Sequence, residues 1–357
     1  MASLIDTFGT LQQRSRVGDV SRARRRVDAA DVPSELMTAL RDMELLAPGD
    51  VPRAALLPSS RAVRVYRVDL GWGTICLKQA LPHGDAMVDA FTSARAAAET
   101  GWFKLACSTA PGAAPVVLGS QLRRAVFATD YLDPLEFPSW DSQLASGRVD
   151  PNVATDLGHL VGRLHAASAN SAVLRDRFAM QTAFHALCVE PIFRRIALEI
   201  PNQAARLTEV TEGLATTRLA LVHGGLTPDN VLVGPRGPIL IDADCAHYGD
   251  PMFDVASCLA ALAAQMAVHP AQHEPFLASI EAFRRSYFAH LTWEIPEEAD
   301  ARAAQLVPAL LAATLADEAF AAPGTEHARD AAHLMLGAPP SSLDGFAQDW
   351  RRALGSE

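Results

Sequence analysis

Apolar and polar positions begin to alternate at Ala62. Val63, Val65 and Val68 with Tyr66 form a β-rich run, Gly71-Trp72-Gly73 marks a turn, and Thr74-Ile75-Cys76-Leu77 resumes the strand. This pattern predicts a hairpin whose second strand delivers Lys78. A helix is expected from about Ala86 to Ala106, followed by strands at Val116-Val117-Leu118 and Ala125-Val126-Phe127-Ala128. Asp130-Tyr131-Leu132-Asp133-Pro134 closes the strand-rich part, and the remainder reads as helical apart from one late hairpin near Val231 to Ile241. Ahead of the sheet, residues up to about Pro48 read as helical and charged, with a helix start at Pro33-Ser34-Glu35. The expected organisation is an N-terminal helical extension (1–48), a small strand-rich N-lobe (49–132) and a large helical C-lobe (133–357). This is a bilobal α+β fold with a ligand site in the cleft between lobes.

Composition narrows the functional classes. The 357 residues are 49% hydrophobic and 20% charged, which supports a substantial core. A formal net charge of -10 disfavours general nucleic-acid binding. Cys76, Cys107, Cys188, Cys245 and Cys258 show no CxxC spacing, which argues against a zinc site and a disulfide framework and favours a reducing cytoplasm. No apolar run reaches membrane-spanning length, so neither a membrane partner nor a secretory signal is expected. Arg22, Arg24, Arg25 and Arg26 read as a solvated helix face rather than a targeting segment.

The most informative stretch is Leu221-Val222-His223-Gly224-Gly225-Leu226-Thr227-Pro228-Asp229-Asn230. The turn Gly234-Pro235-Arg236-Gly237 folds Val231-Val233 back on Ile239-Ile241, bringing Asn230 and Asp242 to the open end of one hairpin. An amide oxygen beside a carboxylate suits magnesium, although either residue is equally placed to cap a turn. Lys78 and Lys104 are the only lysines. A lysine at the end of an apolar strand suits phosphate binding, or else snorkels to the surface.

H-G-x-L-x-P-x-N-V-L-V, then I-D-A-D, then Gly249-Asp250-Pro251 and Asp254, resembles the aminoglycoside-phosphotransferase and methylthioribose-kinase superfamily, with its protein-kinase-like fold. The likeness extends to Leu77-Lys78-Gln79-Ala80-Leu81-Pro82, to Ala98-Glu99-Thr100-Gly101-Trp102 and to Leu160–Ala166. It implies ATP as phosphoryl donor, Mg2+ as cofactor and a hydroxyl of a small metabolite or antibiotic as acceptor. Carried over by position, Lys78 holds the nucleotide phosphates and Glu99 holds Lys78. Asn230 and Asp242 bind magnesium with Asp244 in support, His223 braces the loop, and Tyr131 and Leu132 meet adenine.

The pattern breaks where the family keeps its catalytic aspartate, because position 225 is glycine. A glycine neither accepts a proton nor orients a nucleophile, and a positioned base is typically worth about 10²–10⁴-fold in rate. Asp229 is the nearby candidate substitute. The phosphate-covering turn departs as well: Leu57-Pro58-Ser59-Ser60-Arg61 contains no glycine, leaving Ser59 and Ser60 to meet phosphate by hydroxyl. Two outcomes follow, an impaired phosphotransferase or a catalytically inactive pseudokinase that binds nucleotide or metabolite and works through a protein partner.

Overall fold

The computed structural model describes residues 30–59, 63–81, 91–179, 181–317, 320 and 325–355. The N-lobe carries β1 (Ala30–Asp31), α1 (Ser34–Asp42), β2 (Arg53–Leu57), β3 (Val63–Asp69), β4 (Thr74–Ala80), α2 (Thr92–Thr109), β5 (Val117–Gln121) and β6 (Val126–Asp130). These strands form one antiparallel sheet in the order β1-β2-β3-β4-β6-β5. Register sets the faces: Tyr66 lies opposite Leu77, and Leu77 opposite Ala128. Val68, Ile75, Leu77 and Ala128 pack with Leu36 and Leu40 of α1 in one apolar cluster. The two-residue period turns the neighbouring Lys78 to the other face, where Phe127 packs with Trp102 and Phe103 of α2.

The C-lobe continues with α3 (Trp140–Ala145), α4 (Pro151–Ser168), α5 (Ala172–Arg177), α6 (Gln181–Phe184), a widened turn at His185–Val189, α7 (Glu190–Glu199) and α8 (Ala204–Thr216). Strands β7 (Ala220–Val222), β8 (Val231–Gly234), β9 (Gly237–Leu240) and β10 (His247–Gly249) follow. Helices α9 (Met252–Val268), α10 (His273–Phe288), α11 (Pro296–Leu315), α12 (Thr325–Gly337) and α13 (Leu343–Ala353) complete the lobe. Helix α9 is buried from Met252 to Met266, which accounts for its nearly uninterrupted apolar sequence. Its first turn lies beneath the loop that leads into the late hairpin.

That hairpin is the expected one, with Val231 opposite Leu240, and its open end is closed by Ile241 N–H donating to the Asn230 carbonyl at 3.0 Å. Helix α2 is described over Thr92–Thr109, and the expected start at Ala86 lies outside the described residues. Helix α1 starts at Ser34, within the expected Pro33-Ser34-Glu35, with no side-chain cap. Two details differ from expectation. A second antiparallel pair, β7 with β10, flanks residues 223–246. Finally, Cys188 and Cys245 are joined as a disulfide across a Cα separation of 7.2 Å, contrary to the expectation of no disulfide. Folding brings together two cysteines that are 57 residues apart, which no local spacing signals. The Arg22–Arg26 cluster lies outside the described residues, as do Ser60 and Arg61. No helix among the described residues is long and apolar enough to cross a membrane.

His247 offers a test of how β10 is seated. Its ring stacks on Phe184 with centroids 3.8 Å apart, and its Nδ1 lies 3.0 Å from the Cys245 carbonyl oxygen. Burial pushes its pKa down from 6.5 to about 4. Between those values the unfolded chain binds a proton that the folded chain excludes, so stability falls as pH drops through the window. The loss expected from this group is on the order of 3 kcal/mol. Urea unfolding across this range should show a shallower pH slope for His247→Phe than for the unmodified chain; equal slopes would contradict it.

Candidate active site

Three elements distant in sequence converge on Lys78. Strand β4 presents its Nζ between the two oxygens of Glu99 from α2, each at 2.7 Å, and Asp242 just after β9 pairs with the same ammonium. Both Lys78 and Glu99 are buried. Burial alone would pull the Lys78 ammonium down, but Asp242 and Glu99 more than reverse it, so Lys78 stays protonated. Asp242 sits at φ +64°, a left-handed conformation that Asp tolerates better than most residues and that recurs at functional sites.

A second buried pair lies beside the first. Arg95, one helical turn before Glu99, bonds Asp244. Three carboxylates, Glu99, Asp242 and Asp244, thus face two cations, Lys78 and Arg95. Glu99 is pushed up to about 7, first by burial and then by Asp242 and Asp244 acting against Lys78. Arg95 was not among the residues singled out from sequence; its four-residue spacing to Glu99 is the signal that could have found it.

The loop ahead of β8 is held from below. Asp254 at the start of α9 accepts the backbone N–H of His223 at 2.6 Å and of Gly224 at 2.9 Å. Its carboxyl is buried, which would raise it, but His165 and the loop amides hold it below the usual range. His165 bridges Asp254 and Tyr287 at 3.2 and 2.9 Å. His223 Nε2 lies 3.0 Å from the Ile241 carbonyl, tying this loop to the Asp242 segment, and its ring is kept neutral by burial.

The two adjacent glycines differ. Gly224 has φ +82°, and a Cβ there would run into the Cys245 carbonyl, so only glycine fits. Gly225 has no such φ, and a Cβ there would meet nothing nearer than Asn230 Nδ2 at 3.6 Å. The backbone at 225 therefore accepts a Cβ without strain. Asn230 donates through Nδ2 to the Gly225 carbonyl at 2.8 Å.

Gly225, Asp229, Asn230, Asp242 and Asp244 open together onto a cavity of about 150 Å³. Its far wall is mostly apolar, with Ile192, Phe253, Leu310 and Ala313, and Arg195 at its edge. Elsewhere on α7, Glu190 and Arg194 pair with each other at the exposed surface. Tyr131 and Leu132 lie in the connector after β6; Arg67 stacks over the Tyr131 ring, 5.5 Å from its centroid, and Leu132 lines a separate cavity of about 590 Å³. Ser59 is half-buried just after β2, and Ser60 lies outside the described residues.

The sequence profile of the phosphotransferase enzyme family, APH, matches residues 53–291, more than half of the chain. The chain belongs to that family. As a family member it is a small-molecule phosphotransferase by descent, and nucleotide use comes with the family. Solved structures share its fold at low sequence identity. A Plasmodium vivax ethanolamine kinase aligns over 88% of this chain and 84% of its own, with TM-score 0.51 and 10% identity. A spectinomycin phosphotransferase in complex with ADP and spectinomycin aligns over 89% and 98%, with TM-score 0.51 and 10% identity. LicA in complex with AMP aligns over 85% and 98%, with TM-score 0.51 and 12% identity. The comparison with curated proteins gave no match.

In this family member, the Arg95–Asp244 pair is desolvated on both sides. Removing one partner strands a buried charge, so Arg95→Leu should cost about 3–5 kcal/mol in chemical unfolding. Arg95→Leu combined with Asp244→Leu should recover most of that loss. A loss below about 1 kcal/mol for the single variant would place the pair in effectively exposed surroundings instead.

Proposed function

We propose that this chain binds ATP with magnesium between its lobes and is impaired in passing the phosphoryl group to a hydroxyl of a small metabolite or antibiotic. The observation that carries this reading is the Lys78–Glu99–Asp242 cluster set beside a catalytic loop whose position 225 has no side chain. The relatives solved with ADP and AMP make a nucleotide the natural ligand for the cleft.

The donor set fits magnesium. Asn230 offers an amide oxygen, Asp242 and Asp244 offer carboxylates, and the surplus of carboxylate over cation in this pocket favours a divalent ion. Bound there, magnesium would neutralise charge on the transferring phosphates. Lys78 would exchange its bond to Asp242 for phosphate oxygens while Glu99 keeps it in place. Arg95 would hold Asp244 at the edge of the same site. His223 and Asp254 would keep the loop backbone fixed throughout.

The acceptor side lacks its usual partner. Phosphoryl transfer depends mainly on positioning and electrostatics, so a missing carboxylate slows the reaction without abolishing binding. Asp229 faces the same cavity and is the substitute base to test. The empty position at Gly225 also favours a second reading, a pseudokinase that binds nucleotide or metabolite and acts through a protein partner in the cytoplasm.

Room for a side chain at 225 makes the distinction experimental. Across a panel of small hydroxyl acceptors, Gly225→Asp should consume Mg-ATP about 10²–10⁴-fold faster than the unmodified chain. Brisk turnover by the unmodified chain that disappears in Asp229→Ala would instead place the base at Asp229. Mg-ATP binding with no turnover by either form would select the pseudokinase.

A further inference from the structure

Cys188 and Cys245 both line the cavity beside Gly225. Cys188 belongs to the widened turn His185–Val189 between α6 and α7, where the helical hydrogen bonding slips by one residue. Such bulges are frequent at functional sites. Cys245 follows Asp244 directly, and its carbonyl abuts Gly224 and accepts from His247 Nδ1 at 3.0 Å. A bond between the two sulfurs therefore couples the acceptor wall, the Asp242–Cys245 segment and the catalytic loop.

A stabilising role accounts poorly for this placement. The C-lobe core is extensive without it, from Phe253 and Leu259 of α9 to Leu310 of α11 and Trp350 of α13. Burial pushes the Cys76 thiol up to about 11 and raises Cys107 and Cys258 as well, which makes all three poor nucleophiles. In a reducing compartment, a disulfide within a functional cleft is characteristically a transient, redox-sensing one.

We propose that Cys188 and Cys245 form an oxidant-responsive dithiol of the acceptor pocket. Closed, it locks the Asp242–Cys245 segment against the pocket wall; reduced, it frees both walls for an acceptor. The oxidant class is a hydroperoxide. One thiolate attacks the peroxide oxygen, giving a sulfenic acid and water, and the second thiolate displaces hydroxide from that sulfur. With two protons returned, two thiols and one hydrogen peroxide yield one disulfide and two waters. Dithiothreitol reverses the bond by exchange. The consequence for turnover rests on the phosphotransferase reading, whereas the link itself does not.

The test uses the full chain treated with hydrogen peroxide, then with dithiothreitol. Peptide mass mapping should find Cys188 linked to Cys245 after peroxide and unlinked after reduction. Amide exchange over 185–189 and 242–246 should be about tenfold or more slower in the oxidised form, with α4 unchanged. Cys188→Ser and, separately, Cys245→Ser should abolish the difference between the two treatments. Failure to link in the folded protein would overturn the proposal, as would a link that leaves exchange in both segments unaltered. Thermal shift with Mg-ATP is recorded in each redox state: no shift in either would overturn the phosphotransferase reading alone, because linkage and exchange still decide the dithiol.

Discussion

The whole arrangement depends on one buried ammonium. Lys78 is nearly inaccessible, and a lone charge there would be expelled or neutralised. Glu99 and Asp242 keep it charged, and in doing so they tie the N-lobe sheet, helix α2 and the late hairpin of the C-lobe to one point. Arg95 and Asp244 repeat the connection one helical turn away. The lobes are thus joined by charge at the mouth of the cleft. On the proposed function, a nucleotide would take over the contact that Lys78 makes with Asp242, and a metal ion would let Asp242 release it. Binding would then be an exchange of partners within a site that is already assembled.

The floor below is rigid for a different reason. Asp254 sits at the start of an almost wholly buried helix and holds two consecutive amides of the loop, while His165 and Tyr287 fix its carboxyl from the other side. Backbone geometry at Gly224 is consequently preserved, and it leaves no room for a side chain. Gly225 is under no such restriction. A glycine where the frame demands one says little about chemistry; a glycine where the frame leaves room for a Cβ is the position that the proposed function tests.

Much of this was legible in the chain. The β3–β4 hairpin announces itself through alternation and a Gly-Trp-Gly turn, and the β8–β9 hairpin through a Gly-Pro-Arg-Gly turn between short apolar runs. Lys78, Glu99, Asn230 and Asp242 stand out because their neighbours form motifs. Strands β7 and β10 did not stand out, since three residues are too few to establish a period and their pairing depends on the loop between them. Arg95 escaped because its partner lies 149 positions away and a helical arginine ordinarily reads as solvated. The Cys188–Cys245 contact escaped for the same reason: it is a product of tertiary packing, with no local spacing to betray it.

The most direct test of the central claim is calorimetric titration of ATP into the purified chain with magnesium and then with chelator. If Asp242 exchanges Lys78 for a metal ion, ATP should bind markedly more tightly with magnesium, and Asp242→Asn should remove most of that difference. Equal affinity with and without magnesium, or a magnesium effect that survives in Asp242→Asn, would contradict the account.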